Sequence, residues 1–157
     1  MIDKIKKLVG HNDRIGWDEY FASLACLISC RSPSQKLKVG AVIVKDKRVI
    51  SSGYNGYPAG CEHISIHRDG HEINTVHAEQ NAISDASRRG VAIENASIYV
   101  THYPCINCAK YIISSGIKEV VYLDDYKNDD VVGEMFKQCK ISVRQFVAVE
   151  KINSRKN

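Results

Sequence analysis

Most of this chain alternates between short β-branched runs and segments with helical periodicity. A hairpin is predicted first, with strands over 39–45 and 48–53 joined by the polar turn Asp46-Lys47. Helices and strands then alternate to the end of the pattern. They are predicted to begin near His77, Ser97, Cys105, Glu119, Val132 and Ile141. Such alternation predicts a largely parallel sheet with helices on its faces.

An amphipathic helix and a long loop flank the hairpin. Apolar residues between Trp17 and Ile28 recur at helical spacing, which predicts a helix that ends near Cys30. Residues 54–76 are rich in Gly, His and Pro and show no period, and loops of such length tend to be functional. Because the 157 residues contain no internal repeat and no linker, we predict one domain over 1–157.

The composition excludes several classes of protein. Hydrophobic residues make up 44% and charged residues 25%, as in ordinary globular proteins. No apolar run resembles a signal peptide or a membrane span, so we expect a cytoplasmic protein without membrane association. The net charge of +4 is mild and its basic residues are dispersed, so polynucleotide binding is not expected.

The six cysteines fall into different environments. Without a signal peptide, a chain of this size is unlike a secreted disulfide scaffold. Cys26, Cys30 and Cys139 lie at apolar helical spacing and are predicted to be small core residues.

Two short segments carry residues suited to a metal ion, namely 77–79 (His-Ala-Glu) and 104–108 (Pro-Cys-Ile-Asn-Cys). His77, Cys105 and Cys108 supply three ligands that suit Zn²⁺, and a catalytic zinc keeps three protein ligands and leaves the fourth place to water. The two cysteines lie three residues apart at a helix start, so they share a face, and the helix N-terminus favours their thiolates.

Glu79 remains as a carboxylate that need not bind the metal. In a regular helix, residues 77 and 79 would point about 200° apart, so both reach one site only if His77 lies at the non-helical entry. We predict that placement, with Glu79 as the acid and base that moves protons. The alternative is a structural zinc site closed by another histidine, as in a zinc-stabilised nucleic-acid-binding module.

The combined H-x-E and P-C-x-x-C pattern is the signature of the zinc nucleobase deaminases. Further segments resemble deoxycytidylate (dCMP) deaminases, and the similarity covers about residues 17–147. These segments are Val39-Gly40-Ala41-Val42-Ile43-Val44, Gly53-Tyr54-Asn55-Gly56, Pro58-Ala59-Gly60, Val76-His77-Ala78-Glu79-Gln80-Asn81-Ala82-Ile83 and Ser114-Ser115-Gly116-Ile117-Lys118-Glu119-Val120. The resemblance implies a three-layer α/β/α sandwich of the cytidine deaminase type on a mixed five-stranded sheet. It also implies zinc-dependent hydrolysis of dCMP to dUMP and ammonia, which supplies dUMP for dTTP synthesis.

The same resemblance implies a set of substrate contacts. The residues concerned are Asn55, Arg31, Ser32, Tyr126, Ala78 and Pro104. In this family the asparagine of the Gly-Tyr-Asn-Gly loop contacts the sugar and phosphate, an Arg-Ser pair lies near the phosphate, and an aromatic residue lies against the base. For Arg31 the alternative is a solvated arginine at a helix C-terminus, and for Tyr126 it is a half-buried core tyrosine.

Regulation is likewise implied by the resemblance. The resemblance predicts a homo-hexamer that dCTP activates and dTTP inhibits, with Mg²⁺ accompanying the triphosphate effectors. Gly53, Tyr54 and Gly56 are expected at the regulatory site, where Lys36 and Lys38 are candidates for holding triphosphate charge. Surface lysines before a strand are the alternative for the last two.

Four further residues raise the question of a second metal. Cys61, His63, His67 and His71 follow a C-x-H-x3-H-x3-H spacing, which would place histidines on one face of a helix. The sequence between them is not typical of a helix, and it does not match the family's usual ligand pattern. We predict one catalytic zinc and no second one.

Rival functions differ in substrate or in class. A dCTP deaminase would use the same centre with a different phosphate pocket. A tRNA or polynucleotide deaminase needs a basic or aromatic track for the strand, which this chain does not display. A zinc-stabilised module would unfold when its metal is removed.

Overall fold

The computed structural model describes residues 2–9 and 14–147. The helices in these ranges are α1 (Ile2–Val9), α2 (Trp17–Ser29), α3 (Ala78–Arg88), α4 (Ile106–Ser114) and α5 (Asp130–Gln138). The strands are β1 (Gly40–Lys45), β2 (Arg48–Tyr54), β3 (His67–Arg68), β4 (His71–Glu72), β5 (Ser97–His102), β6 (Glu119–Asp124) and β7 (Ser142–Gln145). Across these ranges no helix is both long enough and apolar enough for a membrane crossing.

The main sheet has five strands in the order β2-β1-β5-β6-β7. Strand β1 runs antiparallel to both β2 and β5, whereas β5, β6 and β7 are parallel. The mixed sheet is therefore confirmed, and so is the largely parallel arrangement predicted from the alternation of elements, because β2, β5, β6 and β7 all run in one direction. Helix α3 carries the chain from β2 across β1 to β5, so that β1 lies between two strands that both run opposite to it.

Helices cover both faces of the sheet. Alternate residues of β1 point to opposite sides. Ala41 and Ile43 pack in the cluster that α3, α4 and α5 join, and Val42 and Val44 pack against Phe21 of α2. Helix α1 lies against α2. The three-layer α/β/α sandwich predicted from the resemblance is confirmed.

The cysteine predictions are confirmed in one case and wrong in two. Cys26 is buried on α2, as expected. Cys30 and Cys139 are exposed. Each is the C-terminal cap of its helix, beyond the last turn whose apolar stripe packs on the sheet.

Gly53 brings β2 and the start of α3 into direct backbone contact. A Cβ atom at this position would overlap the carbonyl oxygen of Ala78 and lie 2.5 Å from the backbone nitrogen of Ala82. Both are backbone atoms that cannot rotate away. Close packing therefore accounts for the glycine and fixes the N-terminal turn of α3.

We expect the substitution Gly53→Ala to lower the free energy of unfolding by about 1–3 kcal/mol, because the added methyl group pushes α3 away from the sheet. Gly133→Ala in α5 is the matched control. Its Cβ would meet nothing closer than the Tyr103 hydroxyl at 3.7 Å. That helical position should gain about 0.5–1 kcal/mol. Urea denaturation measures both, and a Gly53→Ala protein as stable as the wild type would contradict the packing argument.

Candidate metal centre and active site

Helices α3 and α4 each begin at a residue with extended backbone conformation. His77 precedes α3 with φ −70° and ψ 156°, and Cys105 precedes α4 with φ −73° and ψ 166°. The predicted placement of His77 at the non-helical entry is confirmed. Gly56 and Val76 exchange two backbone hydrogen bonds, which brings the chain back to the end of β2 before α3 starts.

Three side chains converge at these helix starts. Nδ1 of His77 lies 3.5 Å from Sγ of Cys105 and 3.3 Å from Sγ of Cys108. Among the described side chains they form the one group of three metal-ligating residues, with all ligand atoms within 4.8 Å of one another. Tetrahedral zinc with ordinary Zn–N and Zn–S bonds would set such N···S separations at about 3.5 Å. The donor set therefore fits one Zn²⁺ ion.

The protonation of the three groups is strongly coupled. The hydrogen bond between the two thiols lowers the pKa of Cys105 to about 3. The same bond, together with burial, raises the pKa of Cys108. A hydrogen bond with Cys105 raises the pKa of His77. A divalent cation bound by all three atoms would hold both sulfurs as thiolates and the imidazole neutral, since ligands must be deprotonated.

Glu79 lies in the first turn of α3 and is 4% exposed. Burial raises the pKa of its carboxyl group. A hydrogen bond with its own backbone amide, the charge of His77 and a hydrogen bond with the Cys108 side chain oppose this only in part. The carboxyl group thus adjoins the metal-ligating group without belonging to it. A buried carboxyl group whose pKa is shifted towards neutrality is suited to accept and release protons.

The other residues predicted beside the metal are close to it in the chain and buried. Ala78 follows His77, and Pro104 precedes Cys105. Both side chains are fully buried. Their contribution to the substrate site stays a prediction.

Asn55 and Ser32 hold the loop before β1 in place. The Asn55 side chain donates to the Leu37 carbonyl at 2.9 Å and accepts from the Val39 amide at 2.8 Å. The Ser32 hydroxyl donates to the Asn55 carbonyl at 2.8 Å and accepts from the Ser34 amide at 3.2 Å. Ser32 is 2% exposed. Each of these two side chains therefore already makes two hydrogen bonds with the backbone of the protein.

Arg31 and Tyr126 are exposed. Tyr126 follows β6, is 46% exposed and joins none of the clusters of buried apolar residues in the described part of the chain, which argues against the half-buried core tyrosine considered as an alternative. Its ring packs edge-on against His102, with centroids 5.9 Å apart. Nδ1 of His102 lies 2.9 Å from the Thr101 hydroxyl. His102 was not predicted from the sequence, where its only signal is its position at a strand end just before the Pro-Cys segment.

Of the residues predicted for regulation, Gly53, Tyr54 and Gly56 lie at the end of β2 or just beyond it. The Tyr54 carbonyl accepts from the Asn81 side chain at 2.7 Å, and Gly56 pairs with Val76. Gly53 packs against α3, as described above. The Gly-Tyr-Asn-Gly loop is therefore fastened to the helix that His77 and Glu79 begin.

The region considered for a second metal is not helical. His67 and His71 stand on the two strands of a small hairpin, β3 and β4. The ring of His63 stacks on Tyr57 at 4.9 Å. Cys61, His63 and His67 do not join a three-ligand group among the described side chains, and the His71 side chain lies outside them. That one zinc alone is bound stays a prediction.

Comparison with known proteins gives the family. Residues 15–124 match the family model of the cytidine and deoxycytidylate deaminase zinc-binding region. ComE operon protein 2 of Bacillus subtilis is 46% identical over 149 residues, which cover 92% of this chain and 79% of that protein. The deoxycytidylate deaminase of Saccharomyces cerevisiae is 38% identical over 160 residues, covering 96% of this chain but only 51% of the yeast protein.

A solved structure with a similar fold supports the same family assignment. It is that of dCMP deaminase from the cyanophage S-TIM5 in complex with dCMP and dUMP. The two folds superpose with a TM-score of 0.77 at 29% identity, over 86% of this chain and 100% of the cyanophage chain. Together with the group of three metal-ligating residues, these similarities show that the chain belongs to the cytidine and deoxycytidylate deaminase family.

Proposed function

We propose that this protein hydrolyses dCMP to dUMP and ammonia, within one domain over 1–157. The observation that carries the proposal is the group of His77, Cys105 and Cys108 with Glu79 buried against it, because a three-ligand zinc with an adjacent proton carrier is a hydrolytic arrangement. The similarity to deoxycytidylate deaminases supports dCMP as substrate. Formation of dUMP for dTTP synthesis, in the cytoplasm, is the expected cellular role.

His77, Cys105 and Cys108 would hold the zinc ion. When bound, Zn²⁺ lowers the pKa of a coordinated water from 15.7 to about 7. Glu79 takes one proton from the attacking water and delivers it to N3 of the cytosine ring, while the water oxygen bonds to C4. Glu79 then carries the second proton to the amino group. The C4–N bond breaks, ammonia leaves, and C4 keeps the oxygen as the carbonyl of dUMP.

The remaining substrate contacts are assigned by position. Ala78 and Pro104 line the wall at the metal centre, where the base must lie for C4 to reach the attacking water. Tyr126, exposed at the same edge of the sheet, is assigned to the base. Asn55 has an amide hydrogen beyond the one it donates to Leu37 and is assigned to the sugar and phosphate, as is the Arg31–Ser32 pair.

Regulation by nucleotides forms part of the proposal. We assign dCTP as activator and dTTP as inhibitor, with Mg²⁺ on the triphosphates, in a homo-hexamer. The Gly53–Gly56 loop is the assigned effector site. The hydrogen bonds between Gly56 and Val76 adjoin His77 directly, so a ligand that shifts this loop would reach the metal centre.

The proposal predicts ammonia release from dCMP by the zinc-loaded protein. The assay offers dCMP, dCTP, dCDP, deoxycytidine and CMP in parallel, each with and without dCTP or dTTP as effector. We expect the highest kcat/KM on dCMP and a response to both effectors. Faster turnover of dCTP would favour a dCTP deaminase. No ammonia from any nucleotide would contradict the proposal and direct the search to tRNA or single-stranded substrates.

A further inference from the structure

A cavity of about 430 Å³ opens at the carboxyl-terminal ends of β5 and β6. One wall is the 35–38 segment before β1, and the other contains Thr101, His102, Lys4 and Asp124. Its volume lies within the usual range of small-molecule sites. The cavity is therefore large enough to receive part of a nucleotide.

The charges around the cavity are unbalanced. Lys4 forms an ion pair with Asp124, so these two side chains neutralise each other. Lys36 and Lys38 also line the cavity, and neither forms an ion pair with an acidic side chain in residues 2–9 and 14–147. Two positive charges that no acidic side chain in these ranges balances favour an anionic occupant.

The cavity adjoins the metal centre. His102 precedes the metal-ligating Cys105 by three residues, so their Cα atoms are at most about 11 Å apart. The ring of Tyr126, which is assigned to the base, packs on His102. A ligand with its base at the metal centre can thus extend its charged end into the cavity.

The Arg31–Ser32 pair assigned above does not supply a phosphate contact inside this cavity. The Ser32 hydroxyl is buried and already makes two hydrogen bonds within the chain. Arg31 is exposed and is not part of the cavity wall. The two lysines, in contrast, line a recess of suitable size.

We propose that Lys36 and Lys38 bind the 5′-phosphate of the substrate in this cavity and thereby select nucleotides over nucleosides. The inference rests on the proposed dCMP deamination and names the phosphate contacts of that site. It differs from the effector role that the sequence suggested for both lysines. A lysine ammonium group is a common phosphate ligand, and a charged hydrogen bond is stronger than a neutral one.

The test compares the double variant Lys36→Gln/Lys38→Gln with the wild type, both zinc-loaded. We expect kcat/KM for dCMP to fall at least about tenfold, mainly through KM, because charge-assisted hydrogen bonds are lost. The value for deoxycytidine, which has no phosphate, should stay within about twofold, the error of such a comparison. Lys118→Gln is the matched control, since Lys118 is exposed just before β6, at the end of the strands opposite to the cavity.

Binding measurements separate this inference from the proposed reaction. Calorimetric titration with dUMP and with deoxyuridine needs no turnover. Weaker binding of dUMP alone to the double variant would support the cavity even if the wild type released no ammonia from dCMP. An equal loss of binding affinity for dUMP and for deoxyuridine in the double variant would overturn the inference. Unchanged dCMP kinetics with a lost response to dCTP or dTTP would overturn it too, and would return both lysines to the effector site.

Discussion

Replacing Glu79 by glutamine is expected to lower kcat for dCMP by about 10⁴-fold while the protein keeps its zinc. A positioned general acid or base contributes about 10²- to 10⁴-fold, and this one carboxylate serves two successive proton transfers, so the upper end applies. Glutamine has nearly the same shape but cannot accept and return a proton. Because Glu79 is not one of the three metal-ligating residues, the zinc content of the variant should not change.

The Glu79→Gln variant must also remain folded for this result to be meaningful. Glu79 is 4% exposed, and its burial raises the carboxyl pKa, which means that the charged form is unfavourable there. A neutral amide should therefore not lower the stability of the fold. Steady-state kinetics, metal analysis and urea unfolding are the measurements. Glu134→Gln, at an exposed position of α5, is the control and should retain full activity. Substantial activity in Glu79→Gln would remove the glutamate from the mechanism.

The metal centre could be predicted from the sequence because its constraints are local. Two residues 200° apart on a helix cannot share a site, so His77 had to lie at the helix entry, and it does. The spacing of Cys105 and Cys108 across one helical turn is fixed in the same way. Backbone geometry over a few residues determined these placements, whereas the approach of the two segments to each other was implied by the family signature.

The remaining features depend on contacts between distant segments. Helix α1 is only eight residues long, too short to be stable alone, and its Ile5 packs on the cluster of Ala22 and Cys26. The position of β1 between β2 and β5 is decided by the path of a crossover, which no periodicity encodes. The recess between Lys36, Lys38 and His102 likewise exists only once three segments meet at one sheet edge.

Removing the zinc is expected to abolish ammonia release but not the fold. The metal-ligating residues lie at helix starts at one end of the strands, whereas clusters of buried apolar residues fill both faces of the sheet. The core therefore does not depend on the metal. Chelation should lower the unfolding temperature, because a ligand that binds the native state stabilises it, yet unfolding should remain cooperative. Circular dichroism and thermal unfolding of the apo protein test this expectation.

The same experiment separates a catalytic zinc from a structural one. In the apo protein, addition of Zn²⁺ should restore turnover without any large change in secondary structure. Cys108→Ser should lose both zinc and activity, whereas Cys139→Ser, at the exposed end of α5, should lose neither. A chelated protein that unfolds completely would instead favour the zinc-stabilised module, in which metal binding and folding are one event. Because the buried clusters lie on both sides of a five-stranded sheet, we expect the chelated chain to stay folded and only the chemistry to be lost.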